Sequence, residues 1–543
     1  MRCLFISLFL VAFTNLYAQQ NISALLPMPN HMEIPEGLPF VISSDVHIHV
    51  SDSNLHFESL ELQKIIEKYV GAKLSIHTVT GMCEDGINLS VNPRMKGEEH
   101  YQIDINDKKV SICGASSKAV FYGIKTLEQI LAGDVCSTKA GRLAPLKIND
   151  SPRFAFRALM LDPARHFLPL NDIKFFINKM ADYKYNTLQL HLTDDQGWRI
   201  EIKKYPKLTQ VGAFREENGA DNGPDNGYYT QDQLKELIAY AAQRHVEIIP
   251  ELDIPGHTVA LLASYPGMGC IHIDTVPKII GKTTDLMLCA SQPEAYEMYR
   301  DIIAEVAALF PSKKIHLGGD ESAIEKNWAK CSRCRGLMEE LGYTKPGELM
   351  NYFFEKILSY VSENKKETIL WCENDNIRMP ASTYLFDYPK DVTLVSWRAG
   401  LTPLCLDLTE RYSNPIILAP GEYAYLDYPQ YKGDFPEFNN WGMPVTTLEK
   451  VYQFDPGYGR TPEKQKHILG VMATLWGEAI KDINRVTYMT YPRAMAFAEA
   501  GWTEMENRDW NSFKSRLYPN IYHLMKEGVF IRVPFEIVKR SKD

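Results

Sequence analysis

Between residues 151 and 505 the chain repeats one unit: an apolar run of strand length, a loop, then in several places a segment with helical periodicity. The runs are FRALML (156–161), NTLQLHL (186–192), VEIIPEL (246–252), KIHLGG (314–319), TILWCE (368–373), VTLVSW (392–397), PIILAP (415–420) and GVMATLW (470–476). Continuous apolar runs of this length suit strands covered on both faces, as in parallel sheets flanked by helices. Leu234, Leu237, Ile238 and Ala241 recur at helical spacing, and Met350, Phe353, Phe354, Ile357 and Val361 repeat that face. Eight such units predict an α/β fold closed as a (β/α)8 TIM barrel. A doubly wound open sheet is the alternative. No G-x-G-x-x-G follows the first run, which counts against a dinucleotide site.

In a barrel of this kind the chemistry sits where the strands end. The residues following the eight runs are DPARHF, TDDQGWR, ELDIPGH, Asp320-Glu321, Trp371 with CEND, Trp397-Arg398, GEYAYLD, and Trp476 with Glu478. Nearly every end offers an acid, an aromatic ring, Arg or His. Such a rim can grip hydroxyls with carboxylates and stack rings on sugar faces. It holds no nucleophile elbow and no H-E-x-x-H. The fourth end, IHLGGDES, is the most specific. Neighbours on a strand point to opposite faces. Asp320 and Glu321 can therefore serve one site only if the chain bends there, and Gly318-Gly319 permits a bend.

Before the barrel, residues 19–150 read as a compact α/β domain. FVISSDVHIHV reads as strand and LHFESLELQKIIEKYVG as a helix ending at Gly71. YQIDINDKKVSICG reads as a hairpin turning at NDKK, and SKAVFYGIKTLEQIL as a second helix. The cluster NDSPRF (149–154) marks the boundary. Residues 506–543 read as a C-terminal helical extension packing on the barrel. Residues 1–18 read as a signal peptide: Arg2, the apolar stretch Leu4–Phe13, and cleavage after Ala18. The stretch is too short to span a bilayer, and no other segment reaches the necessary length. The expected location is thus exported, periplasmic or secreted.

The net charge of −9 and the lack of a long Lys/Arg block exclude nucleic acid as a partner. Ten cysteines are present, nine after loss of Cys3, so at least one lacks an intramolecular partner. Cys331 and Cys334 form a C-x-x-C that leaves a disulfide, free thiols and a metal half-site open. A zinc site would need a second pair at similar spacing, and the sequence has none. The oligomeric state, monomer or dimer, is not readable.

Together DPARHFLPL, HLTDDQGWR, ELDIPGHT, HLGGDE, YLD and LWGE, in that order, resemble the β-N-acetylhexosaminidases of glycoside hydrolase family 20. The resemblance covers nearly all of the chain after the signal segment, including the small domain that opens with LLPMPNHMEI. It implies a hydrolase that releases terminal β-linked GlcNAc or GalNAc from glycans, without cofactor or metal. It also implies substrate-assisted catalysis, in which the sugar's 2-acetamido oxygen attacks C1. Glu321 would then be the acid and base, and Asp320 would hold the acetamido N–H. His257 and one Asp of the TDD would back Glu321; Asp194 and Asp195 both qualify, with Asp195 preferred. Arg165 would grip O3 and O4, and Glu478 would hold O4 and O6. Trp371, Trp397 and Trp476 would wall the pocket, and Tyr425 would reach the acetamido carbonyl beside Asp427. Three other functions compete. One is a retaining glycosidase with Asp320 as its own nucleophile. Another is a non-catalytic glycan binder, and the third is a metal-dependent hydrolase built on His191 and His257.

Overall fold

The computed structural model describes residues 22–133, 141–215, 225–271, 286–373, 388–434 and 443–537. Residues 1–18, read above as a signal peptide, the loop after the fifth apolar run from residue 374 and the last six residues of the C-terminal extension lie outside the described residues. Among those described, no helix is long and apolar enough to cross a membrane.

The eight apolar runs form the barrel strands β1 (Phe156–Leu161), β2 (Thr187–His191), β3 (Glu247–Ile254), β4 (Lys314–Gly318), β5 (Glu367–Trp371), β6 (Thr393–Ser396), β7 (Ile416–Leu418) and β8 (Ile468–Leu475). Each is parallel to the next, and β8 returns to β1 with Phe156 opposite Gly470 and Leu161 opposite Leu475. That last pairing closes the barrel and removes the open-sheet alternative. Residues of both strand faces are buried, among them Leu159, Met160, Leu188, Leu190, Leu370 and Val395, which is why the strands read as unbroken apolar runs rather than alternations. The predicted helical faces lie on helices Gln231–Gln243 and Glu348–Glu363, with Leu234, Leu237, Phe353, Phe354 and Ile357 turned inward.

The preceding domain is a seven-stranded mixed sheet. Its spatial order is His31–Glu33, Leu146–Asp150, Tyr101–Ile105, Lys109–Gly114, Gly86–Val91, His47–Val50, Ser75–Thr78. The predicted hairpin is present with Tyr101 opposite Gly114 and Ile105 opposite Val110. Helices His56–Val70 and Ser117–Gly133 pack on the sheet and on each other. The first ends at Gly71, whose φ of +77° forms the left-handed cap. FVISSDVHIHV is not one strand: it splits into Phe40–Val41 and His47–Val50 around a turn at Ser43–Val46. The helix Trp510–Lys526 of the C-terminal extension is capped by Asp509. Its Arg516 makes a two-pronged ion pair with Glu499 of the barrel helix Arg493–Trp502, at 2.8 and 2.9 Å.

The small domain meets the barrel at the N-terminal ends of the strands, opposite the expected site. Arg157, in β1, is fully buried there. Its Nη1 donates to Glu99 Oε2 at 2.7 Å and its Nε to the Lys184 carbonyl, while its guanidinium lies over the Trp502 ring. Asn186 donates to the other oxygen of Glu99 at 3.0 Å. Burial would raise the Glu99 carboxyl, but the Arg157 charge and hydrogen bond, with Lys118 and Asn186, together hold it below the ordinary range.

Removing Glu99 leaves a buried guanidinium without its carboxylate, and the expected cost for Glu99→Ala is about 3–5 kcal/mol. The pair contributes above the unfolded carboxyl's pKa of about 4.3 and is lost as pH falls through the depressed folded value. Thermal unfolding should therefore show a large drop in Tm at neutral pH, and the difference from wild type should shrink towards acid pH.

Candidate active site

The bend at the end of β4 is real and is enforced from below. Gly318 and Gly319 take φ of +64° and +94°, and Glu321 follows at +47°. A Cβ on Gly318 would lie 1.7 Å from Asp253 Oδ1, so only glycine fits. The same carboxylate oxygen accepts the Gly319 N–H at 3.1 Å. Asp253 comes from the end of β3, where the pairing with β4 shifts register between Glu251 and Ile254, an irregularity of the kind that re-aims side chains beside sites. As a result both neighbouring acids face one imidazole. His257 Nε2 lies 3.8 Å from Asp320 Oδ2 and 3.8 Å from Glu321 Oε2.

Behind His257 stands Asp194, not Asp195. The Asp194 carboxylate is 3.2 Å from His257 Nδ1 and 2.8 Å from Arg165 Nη2. Asp195 instead accepts the backbone N–H of Val259 at 3.1 Å, anchoring the short helix Val259–Ser264. The preference for Asp195 is thus overturned. Asp194 and Gly197 pair in a small ribbon after β2, and neighbours in a ribbon point to opposite sides. Arg165 is further fixed by Asp162, which takes its Nη1 at 2.9 Å and the Arg165 and Ala164 N–H groups on its other oxygen. Asp162 also accepts the Gly477 N–H at 2.8 Å, tying the β1 loop to the β8 loop.

A second buried layer gives His191 a role other than the metal ligand the sequence offered, and adds His316, which the sequence did not single out. His191 lies between Asp194 Oδ2 at 2.8 Å and Glu251 Oε2 at 3.0 Å. Glu251 also receives Gln189 Nε2 and Trp371 Nε1, both at 2.8 Å, and sits 3.3 Å from His316 Nδ1. His191, Glu251 and His316 are fully buried. Within an apolar strand they look like core positions, and only closure of the barrel brings them under the site.

The opposite wall is aromatic. Trp371 and Trp476 lie 5.7 Å apart, Tyr425 is 6.3 Å from Trp476, and Trp397 stacks on Tyr425 at 6.5 Å with planes 17° apart. Arg165 lies over Trp476 at 5.1 Å. Asp427 accepts the Trp476 N–H at 3.3 Å, so it positions a wall residue. Glu373 and Arg398, at the ends of β5 and β6, make a two-pronged ion pair at 2.6 and 2.7 Å. They border the acids closely enough for Asp320 and Glu321 to raise the Glu373 carboxyl, which burial first pushes up to about 8.

The charges are ordered by these contacts. Burial opposes ionisation of Asp194, yet Arg165 and His257 hold its carboxyl well below the usual range. Burial likewise opposes protonation of His257 and His191, yet Asp194 keeps the first charged and Glu251 the second. Glu321 shifts the other way: the surrounding protein and then the Asp320 charge raise its carboxyl above the ordinary value. Asp427 rises to about 8 by burial and then by repulsion from Glu478, which is itself raised by burial against the pull of Arg165. Among the described residues, the buried polar atoms without a hydrogen bond include Asp320 Oδ1, His257 Nε2, Trp397 Nε1 and Arg165 Nε on this rim.

The chain is similar to known proteins. Residues 154–505 match the family model "Glycosyl hydrolase family 20, catalytic domain", and residues 23–151 match "Glycosyl hydrolase family 20, domain 2". A β-hexosaminidase of Akkermansia muciniphila is 37 % identical over 432 residues, covering 78 % of this chain and 84 % of the relative. A β-hexosaminidase of Vibrio furnissii is 33 % identical, covering 88 % and 76 %. The crystal structure of an exo β-N-acetylglucosaminidase from Vibrio harveyi in complex with N-acetylglucosamine superposes with a TM-score of 0.81 at 31 % identity, covering 95 % of this chain and 79 % of that one.

The two acids of the TDD should separate in kinetics. Asp194→Asn removes the charge that holds both Arg165 and His257, and kcat/KM should fall roughly 10²-fold or more. Asp195→Asn keeps an oxygen for the Val259 N–H and should stay near wild type. Steady-state assays on an aryl glycoside check the ordering, and equal losses in both variants would contradict it.

Proposed function

As the chain belongs to glycoside hydrolase family 20, we propose that this glycosidase is an exo-acting, retaining β-N-acetylhexosaminidase whose nucleophile is the substrate's own 2-acetamido oxygen. The observation that carries the reading is the pair of adjacent acids turned onto one imidazole, with Glu321 raised and Asp320 at its side. In the first step the acetamido oxygen attacks C1, and Glu321 gives its proton to the departing glycosidic oxygen. Asp320 accepts the acetamido N–H and balances the positive charge of the oxazolinium ion that forms. In the second step Glu321, now a carboxylate, takes a proton from water as that water attacks C1. The acetamide is regenerated and the β configuration retained. His257, charged by Asp194, steadies both carboxyl groups. Arg165 grips O3 and O4 and Glu478 holds the sugar's outer edge, closing the pocket for a single terminal residue. Tyr425 donates to the acetamido carbonyl, and Trp371, Trp397 and Trp476 exclude water around it. The N-terminal apolar segment Leu4–Phe13 supports action on glycans outside the cytoplasm.

Glu321→Gln should lower kcat about 10²–10⁴-fold on a poor leaving group and much less on an activated aryl leaving group that needs little protonation. In the wild type, activity should fall on the alkaline limb as pH rises through the raised Glu321 pKa, because the acid must start protonated. That limb should vanish for Glu321→Gln. An equal loss on all leaving groups would remove Glu321 from the acid role.

The nucleophile is tested with β-linked aryl GlcNAc, GalNAc, glucose and galactose. The two acetamido sugars should be cleaved and the other two should not. Efficient cleavage of the glucoside, with a glycosyl ester trapped on Asp320 in a mass spectrum, would replace the substrate's oxygen by an enzyme carboxylate. Single residues should be the first products from a hexasaccharide, and disaccharides would show an open pocket.

A further inference from the structure

The loops that follow β3 and β4 carry four cysteines that the site does not use. Cys270 lies just after the short turn Pro266–Met268, and Cys289 precedes helix Pro293–Leu309. Cys331 and Cys334 lie at the first turn of helix Ser332–Leu341. The sequence showed no second close pair to match Cys331 and Cys334, because Cys270 and Cys289 are far apart in the chain. The fold nevertheless gathers all four, with every Sγ within 4.8 Å of the others. Cys289 and Cys334 are 3.6 Å apart, and Cys270 and Cys334 are 3.8 Å apart. All four are thiols, so the C-x-x-C is not a disulfide.

Those separations are informative. A disulfide holds its sulfurs at about 2.05 Å. Four thiolates around a zinc ion, each bonded at about 2.3 Å, stand about 3.8 Å apart by tetrahedral geometry. The spacing here fits the second arrangement. The setting also favours thiolates. Cys331 is the N-cap of the helix and Cys334 lies in its first turn, where the helix N-terminus stabilises negative charge. Ser291 Oγ is 3.2 Å from Cys289 Sγ. The Arg333 guanidinium, held by the Gly269 carbonyl at 2.8 Å, stands beside the cluster and offsets part of its charge. Cys289 and Cys334 are buried and the other two are partly covered, so the position is shielded without being sealed.

We propose that Cys270, Cys289, Cys331 and Cys334 bind one zinc ion as a closed structural site. Four protein ligands leave no open position, so the ion would not touch substrate. Binding exchanges the thiol protons for the metal and releases them to solvent. The consequence is mechanical. The loop after β3 carries His257 and the loop after β4 carries Asp320 and Glu321. A zinc ion would fasten the two loops to each other outside the pocket, where Trp328 Nε1 already reaches the Leu288 carbonyl at 2.8 Å. Tetrahedral sulfur sites suit zinc or iron.

The full chain, purified under reducing conditions without chelator, should contain about one zinc per chain by elemental mass spectrometry. A mercurial thiol reagent should release that zinc to a colorimetric chelator. Cys331→Ser with Cys334→Ser should lose it. If that variant does not fold, stripping the wild type with a chelator should lower Tm, and zinc chloride, but not magnesium chloride, should restore it. The proposal fails if the reduced chain holds no zinc and takes none up from equimolar zinc chloride. It also fails if alkylation mapping of the native protein finds any two of these cysteines disulfide-bonded. One iron per chain with visible charge-transfer absorption would overturn the assignment to zinc.

Discussion

Asp194 is the carboxylate on which the catalytic end of the barrel depends. Three elements meet at it: Arg165 from the β1 loop, His191 from β2 and His257 from the β3 loop. A buried charge is costly unless its partners are arranged around it. Here the charges alternate in sign from Asp162 through Arg165, Asp194 and His191 to Glu251, each buried and each within 3.0 Å of the next. Such an alternation fixes positions as well as protonation states. Arg165 cannot swing without uncovering Asp162 and Asp194, and His257 cannot lose its proton without removing one of the three cationic partners of Asp194. The groups that meet the sugar therefore inherit their placement from one buried ionic chain.

The two ends of the barrel divide the work. At the N-terminal ends of the strands, Arg157, Glu99 and Asn186 join the small domain to β1 and the start of β2, and Lys184 stands 4.4 Å over the Trp502 ring. None of these groups faces the pocket, so they can be optimised for packing alone. Left-handed backbone occurs at both ends: Lys184, His245 and Lys365 take it just before β2, β3 and β5, and Gly318, Gly319, Glu321 and His257 take it at the C-terminal ends. Strain of this kind persists only where neighbours over-determine it. Asp253 supplies that constraint by occupying the space a Cβ on Gly318 would need.

The barrel was legible because burial on both faces leaves an unmistakable record, and the sites at the strand ends followed from knowing where such barrels do chemistry. In the small domain the strands Gly86–Val91 and Ser75–Thr78 were not read, since the first carries buried Asn88 and Ser90 among its apolar residues and the second is mostly exposed. Asp194 and Asp195 are chemically identical neighbours, and only the ribbon that Asp194 forms with Gly197 decides which one faces His257. His191 was visible only as a possible metal ligand and Glu251 only as part of a strand end, while His316 was hidden inside an apolar strand. Glu373 and Arg398 were visible as rim residues but not as a pair. The four cysteines were out of reach for a different reason: their neighbourhood is created by two loops from successive strands, and no local spacing encodes it.

The unpaired atoms on the rim explain why such a site can discriminate. Asp320 Oδ1, His257 Nε2, Trp397 Nε1 and Arg165 Nε are buried without a hydrogen bond from the described residues. Leaving a buried polar group unsatisfied costs about 1–3 kcal/mol, more when it is charged. In a soft site the side chains would rotate to find one another and that cost would disappear. Here they cannot: Asp320 is fixed by the glycine bend, His257 and Arg165 by Asp194, and Trp397 by its stacking on Tyr425. A ligand that presents a donor to Asp320 and acceptors to the others meets the whole set at once. An acetamido group and neighbouring hydroxyls on one sugar ring carry both kinds. A sugar with a plain hydroxyl at C2 places its donor closer to the ring and leaves part of the set unanswered, so the rigidity of the set favours one kind of sugar over the other.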